Sequence, residues 1–190
     1  MAKIIIIGAG AMGAAFSVPC IENKNEVTLI GTHLENDLIE KIKSNNNIHP
    51  ALNTKLPNEL RIEKIEELDS ILKEKTDIIV AGVSSLGIDW FVEKISKDYK
   101  KNLPIVLLTK GLAIDENELI TLSDKIKKLL KEKGHTAINI SAIKGPCLAA
   151  GLANKMRTGT VIANPDIKET ELLKKIITTD YYSTEISDDL

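Results

Sequence analysis

Cysteine is scarce in this chain, and the two present, Cys20 and Cys147, lie far apart with no CxxC between them. A disulfide framework and a zinc knuckle are thereby excluded, and no metal site is suggested. A one-signed charge is also missing: 25 basic side chains face 27 acidic ones, a formal net charge of −2. Such a balance gives no field that favours nucleic acid or an anionic membrane. The lysines of KIKKLLKEK (Lys125 to Lys133) are interrupted by leucine and glutamate and read as the wet face of a helix. No long hydrophobic run occurs either. Four isoleucines precede Gly8, which is too short for a signal peptide or a membrane span. A reducing cytoplasm is the expected location, without membrane insertion. Internal repeats and low-complexity segments are absent.

What is present is an alternation. KIIIIG (Lys3 to Gly8), EVTLIG (Glu26 to Gly31), DIIVAGV (Asp77 to Val83), PIVLLT (Pro104 to Thr109) and TAINISAI (Thr136 to Ile143) read as buried strands. Runs of Ile, Val and Leu of this length suit parallel strands covered on both faces. Between them, Ile88, Phe91, Val92 and Ile95 recur at helical spacing, as do Leu119, Leu122, Ile126, Leu129 and Leu130. For the second helix, Asp115 with Glu118 three residues on predicts a capping box, and Gly134 a stop. Ser44 to Pro57 reads as an irregular surface excursion. Strand–helix alternation on this scale predicts right-handed βαβ units in a Rossmann-type, doubly wound, mostly parallel α/β sheet.

Gly8, Gly10 and Gly13 fit G-x-G-x-x-G, with a strand before and a helix after. In that context Gly8 permits the tight turn, Gly10 lets a pyrophosphate approach the backbone, and Gly13 lets the helix pack on the sheet. The helix N-terminus offers its N–H groups and positive dipole end to phosphates. A dinucleotide, NAD or NADP, is the expected cofactor. The second strand ends in Gly31-Thr32-His33, with no acid before Glu35. An acid there ordinarily holds the ribose 2′-hydroxyl of NAD. Its absence, with Thr32 and His33 able to donate to a 2′-phosphate, leans slightly to NADP.

Three further segments fall where later strands end: GVSSLG (Gly82 to Gly87), LTKGL (Leu108 to Leu112) and KGPCLAAG (Lys144 to Gly151). Doubly wound sheets bind ligands at those strand ends. Lys110 there places an ammonium at the rim of the crevice, suited to an anionic substrate or the nicotinamide region. The Gly145-Pro146 turn, followed by small residues, lets backbone N–H groups face a ligand. Cys147 has no activating partner in the sequence and reads as a small packing residue.

Taken in order, IIGAGAMGAAFS, GTH, GVSS, TKGL, GPCLAAGLANKM and YYSTEISDDL resemble the N-terminal domain of the NAD(P)-dependent glycerol-3-phosphate dehydrogenases over nearly the whole chain. The resemblance implies NAD(P)H-linked interconversion of dihydroxyacetone phosphate and sn-glycerol 3-phosphate, the step that supplies the phospholipid backbone. It implies cofactor contacts at Gly8, Gly10, Ala11, Met12, Gly13, Thr32, His33, Ser84, Lys110 and Ala149. Lys110, Gly145 and Cys147 match substrate contacts. It further implies that residues 1–180 are the dinucleotide-binding domain and 181–190 the lead-in to a helical domain. That domain carries the proton-donating lysine and pairs full-length protein as a homodimer. No catalytic acid is therefore expected within these residues, and turnover by this chain alone should be poor.

The chain departs from the family at Lys144, where serine or threonine usually precedes Gly-Pro, at Gly151, usually glutamate, and at Arg157, usually proline. These departures touch the substrate rim and leave the cofactor half intact. Two other readings remain from the residues: a stand-alone dinucleotide-binding or regulatory module, and a related two-domain reductase such as ketopantoate reductase, which also opens with GAGAMG. The TKGL and GPCLA segments argue against the latter.

Overall fold

The isoleucines of Lys3–Ile7 face alternately to opposite sides, and both sides are covered. Ile4 and Ile6 pack into one apolar cluster with Phe16 and Leu29, while Ile5 and Ile7 pack into another with Ile79 and Phe91. That double burial is why the segment is a central strand. The computed structural model describes residues 1–100 and 102–190. Its elements are β1 (Lys3–Ile7), α1 (Ala11–Glu22), β2 (Glu26–Ile30), α2 (Asn36–Ser44), β3 (Ile48–His49), β4 (Thr54–Lys55), β5 (Arg61–Glu63) and α3 (Leu68–Lys73). They continue with β6 (Ile78–Ala81), α4 (Ile88–Ser96), β7 (Ile105–Leu107), β8 (Leu112–Asp115), β9 (Glu118–Thr121) and α5 (Leu122–Glu132). The chain closes with β10 (Ile140–Lys144), α6 (Ala149–Ala153), β11 (Thr158–Ala163), α7 (Ile167–Ile177) and β12 (Tyr182–Ser187).

Among the described residues the main sheet has eight strands in the order β12-β11-β10-β7-β6-β1-β2-β5. Read from the other edge, β5-β2-β1-β6-β7-β10 is the doubly wound order with every neighbouring pair parallel. The expected fold class is therefore observed. β11 turns antiparallel to β10 and carries β12 parallel at the edge. The topological switch lies at β1, whose chain leaves to β2 on one side while β6 pairs on the other. Beyond the carboxyl ends of these two strands is the crevice such sheets use for ligands.

Four expectations need correction. The second helix starts at Leu122, not near Asp115, because Leu112–Asp115 and Glu118–Thr121 pair as a β-hairpin. Glu116 and Asn117 take left-handed backbone at its tip. The residue that caps α5 is Thr121, whose Oγ1 accepts the Asp124 N–H at 3.1 Å. Asp115 instead takes both its hydrogen bonds from Lys128 Nζ at 2.7 Å. Gly134 does end the helix, with His135 N–H closing back on Leu130 O. The fifth strand begins at Ile140 rather than Thr136.

The stretch Ser44 to Pro57 is not wholly a surface excursion: it holds the short hairpin β3–β4, and His49 and Leu56 are buried. Residues 182–187, placed outside the domain by the sequence reading, form β12, and Tyr182 lies in the core. Among the described residues no helix is long and apolar enough to cross a membrane.

Candidate functional site

Gly8 leaves β1 with φ +112°, a conformation that L side chains rarely adopt. A Cβ there would stand 2.6 Å from the carbonyl carbon of Gly82, so the loops after β1 and β6 touch backbone to backbone. Gly13 is tighter still: its Cβ would lie 2.0 Å from Gly8 O. The first turn of α1 is thus pressed directly against the loop it follows. Gly10 differs from both. The nearest atom to a Cβ at that position is a carboxylate oxygen of Glu35, at 3.6 Å, and no backbone is close. A methyl group at Gly10 would thus make an ordinary contact with the Glu35 side chain and meet no backbone. Gly8 thus makes the tight turn and Gly13 the close helix packing expected of them.

No side chain caps α1 at Gly10, as at α2, α3, α4 and α6; α5 and α7 are capped by Thr121 and Asp166. The amides of Ala11, Met12 and Gly13 lie in the first turn, where helical N–H groups lack intrahelical acceptors. An uncapped, glycine-lined helix start fits an anionic phosphate group. Its place after the glycine loop at the end of β1 makes a dinucleotide compatible with the residues present.

The loop has two partners that sequence reasoning missed. The carboxylate of Glu35 accepts the Ala9 N–H at 3.0 Å and the Thr32 N–H at 2.7 Å, both on Oε2. On the other side of the same residue, His49 Nε2 lies 2.9 Å from Ala9 O. A carbonyl only accepts, so Nε2 carries the proton. His49 is 1% exposed, and its Nδ1 has no hydrogen-bond partner among the described residues. Glu35 also corrects the premise behind the lean to NADP. An acid does face the end of β2, delivered from the first residue before α2 rather than from the strand itself. Its distance along the chain was the signal, since such acids are expected about 20 residues past the glycine loop.

Thr32 and His33 stand beside it. Thr32 gives its N–H to Glu35, and exposed His33 rests its ring 5.1 Å from the Trp90 ring on α4. His33 and Trp90 so join the loop after β2 to the helix after β6. Ser84 is exposed just before α4 and reaches none of these groups by a hydrogen bond among the described residues.

The expected substrate residues gather on the opposite side. Met12, Lys110, Gly145, Cys147, Thr160 and Tyr182 line one small cleft at the carboxyl ends of β7 and β10. Lys110 Nζ donates to Gly145 O at 2.5 Å, drawing LTKGL and KGPCLAAG together. Gly145 takes φ +137°, with Thr160 Cα 3.2 Å from where its Cβ would be. Cys147 is 6% exposed, and burial pushes its thiol up, against weaker opposing effects from Thr158 and Lys110. A thiolate is disfavoured there, in keeping with a packing role. Ala149 opens α6, which packs along α1. Met12, in the first turn of α1, is the residue of the glycine loop that lines this cleft.

Lys144, a departure expected to touch the substrate rim, lies beside this cleft without lining it. Its Nζ donates to Thr109 O, and its own carbonyl accepts from Thr160 Oγ1 at 2.6 Å. Burial lowers its pKa, and the neighbouring charge of Lys110 lowers it further.

A six-strand doubly wound core with a glycine loop at its switch point defines a Rossmann-type domain. Solved structures agree at the level of fold. Glycerol-3-phosphate dehydrogenase from Coxiella burnetii superposes with a TM-score of 0.82 at 19% identity, over 100% of this chain and 55% of that one. The enzyme from Dunaliella salina gives 0.83 at 17%, over 99% and 34%. The family model described as NAD-dependent glycerol-3-phosphate dehydrogenase N-terminus matches residues 3–170, and the chain belongs to that family. Among curated relatives, the NADP(+)-dependent glycerol-3-phosphate dehydrogenase of Archaeoglobus fulgidus is 33% identical over 98% of this chain and 54% of its own length. The glycerol-3-phosphate dehydrogenase [NAD(P)+] of Mesoplasma florum is 31% identical over 95% and 52%. The chain spans about half the length of these relatives.

Proposed function

We propose that this chain is the cofactor-binding part of an NAD(P)-dependent glycerol-3-phosphate dehydrogenase. It would interconvert sn-glycerol 3-phosphate and dihydroxyacetone phosphate for glycerophospholipid synthesis. The observation that carries the reading is the family match over residues 3–170, with Lys110 and Gly145 meeting Met12 of the glycine loop in one cleft. The names of the relatives support NAD or NADP as cofactor. That cofactor supplies the hydride, or accepts it in the reverse direction.

In this reading the residues of the chain bind and orient. The amides of Ala11, Met12 and Gly13 hold the pyrophosphate, and Gly10 leaves room for it. Glu35 in its observed place suits a ribose 2′-hydroxyl, so NADP(H) would require its carboxylate to turn away. Lys110 steadies the substrate against Met12 and the Gly145-Pro146 turn. Proton delivery to the carbonyl oxygen is assigned to a helical domain that follows in the whole enzyme, so these residues alone turn over poorly. A cytoplasmic location and a homodimer paired through that domain belong to the same proposal.

Trp90 is the only tryptophan and sits beside His33, so its emission reports on the crevice. Titration with NADH and NADPH should quench it saturably, and Trp90→Phe should remove the signal. Absence of saturable binding of either cofactor would overturn the reading. Hydride transfer from sn-glycerol 3-phosphate at the rate of a complete dehydrogenase, by this chain alone, would overturn the division of labour.

A further inference from the structure

His49 and Thr54 are direct partners across the short β3–β4 hairpin, so their side chains leave the same face of it. Each reaches a different element. His49 Nε2 donates to Ala9 O at 2.9 Å, in the glycine loop. Thr54 Oγ1 donates to Asn154 Oδ1 at 3.1 Å, sharing its one proton with Leu52 O at 2.9 Å. Asn154 is the C-cap residue of α6, and its Nδ2 donates to Ala150 O at 2.8 Å. One cross-strand pair thus ties the loop after β1 to the helix after β10.

The hairpin is a seated unit, since Leu52 and Leu56 are buried in the same apolar cluster as Phe16 and Leu152. Its histidine is a costly residue for mere cover. His49 is buried with Nδ1 unpartnered among the described residues, and an unpaired buried polar atom is destabilising. Leucine would fill such a place without that cost, so what the histidine adds is its hold on Ala9. At the other end, α6 has only five residues. A helix that short is placed by its tertiary contacts rather than by its own stability. A shift at Asn154 therefore carries through to Ala149, at the start of α6 and just past Gly145 and Cys147.

We propose that the His49–Thr54 pair is a bracket that sets the spacing between the glycine loop and the start of α6, with Thr54 and Asn154 as positioning residues for the cofactor. The inference rests on the proposed cofactor reading, in which the glycine loop and Ala149 hold the same dinucleotide. It adds residues that touch no part of that dinucleotide and act on it through Ala9 and α6.

The test titrates the ¹⁵N-labelled chain with NADH. Binding to the unsubstituted chain should move the Ala9 and Ala149 amide signals together. Thr54→Val keeps the shape of the side chain and removes its hydroxyl, and Asn154→Ala removes the same bond from the other side. Each should weaken NADH binding about threefold, the scale of one exposed hydrogen bond, and shrink the NADH-induced shift at Ala149. Thr54→Ser keeps the hydroxyl and should restore both. The double variant should lose little more than either single one, because one bond is removed in all three. If NADH binds but Thr54→Val and Asn154→Ala change neither the affinity nor the Ala149 shift, the bracket is overturned and the cofactor reading stands. A loss that Thr54→Ser fails to restore, or one matched by a fall in thermal midpoint, makes Thr54 merely structural and also overturns it. If NADH and NADPH both fail to bind the unsubstituted chain, the cofactor reading falls and the bracket falls with it.

Discussion

The Glu35 carboxylate accepts the backbone N–H of Ala9 at 3.0 Å, so an acidic side chain of the protein itself lies against the glycine loop. The same oxygen takes the Thr32 N–H at 2.7 Å, which fixes the carboxylate at the end of β2. A 2′-phosphate brought to that strand end would meet a negative charge, whereas a 2′-hydroxyl could donate to it. Glu35→Gln should therefore move the ratio of NADPH to NADH affinity about tenfold towards NADPH, a change worth about 1.4 kcal/mol. Paired fluorescence titrations measure it. An unchanged ratio would mean that Glu35 only ties the loop.

His49 holds the other end of the same peptide unit. Its Nε2 is 2.9 Å from Ala9 O, and the ring is buried. His49→Leu would leave that carbonyl without its donor, at a cost of about 1–3 kcal/mol. His49→Gln keeps a donor at similar reach and should recover part of the loss. Urea unfolding gives the stability change. NADH affinity should fall alongside it, because a slack Ala9 no longer fixes the loop. A His49→Leu protein as stable as the original would remove His49 from the support of the site.

The central architecture was legible because it rests on local signals. Ile4 to Ile7 form an apolar run with glycines at fixed offsets, and strand β1, the turn and α1 follow from that alone. Glu35 carried a signal only in its distance past the glycine loop, and His49 was not legible, since it acts through a tertiary contact with Ala9 from a segment that reads as loop. The capping error has a similar origin. Asp115 and Glu118 have capping-box spacing, but the tip residues Glu116 and Asn117 take left-handed backbone, and the segment pairs as a hairpin. Spacing cannot tell these outcomes apart when the deciding partner, Lys128, comes from the helix that follows. Lys110 and Gly145 were recognisable from their motifs, whereas Lys144 showed its crossing bond to Thr109 only once β7 and β10 lay side by side.

The glycines separate folding from binding. At Gly13 a methyl group would stand 2.0 Å from Gly8 O, and backbone cannot yield cheaply there. Gly13→Ala should cost about 1–3 kcal/mol by overpacking, with cofactor binding lost as the loop shifts. Gly10→Ala meets nothing closer than 3.6 Å, so its thermal midpoint should change little. Cofactor affinity should nevertheless drop, because the proposed cradle needs the pyrophosphate to approach the Gly10 backbone closely. Thermal unfolding and NADH titration of both variants check the contrast. If Gly10→Ala bound NADH as well as the original, the cradle would lie elsewhere.

The depressed pKa of Lys144 makes a statement about stability and pH. Burial is its larger cause and the Lys110 charge the smaller, and both disfavour the folded ammonium. Between the lowered folded pKa and the ordinary value of 10.5, the unfolded chain binds more protons at this site than the folded one. Stability from this group must then rise with pH across that window, and below it the group imposes its full penalty. Lys144→Met removes the titration. The difference in unfolding free energy between Lys144→Met and the unsubstituted chain should be greatest near neutral pH, in favour of the variant, and shrink as pH approaches 10. Denaturant unfolding at pH 7, 8, 9 and 10 measures it. A difference constant with pH would show that Lys144 titrates no differently in the folded chain than in the unfolded one.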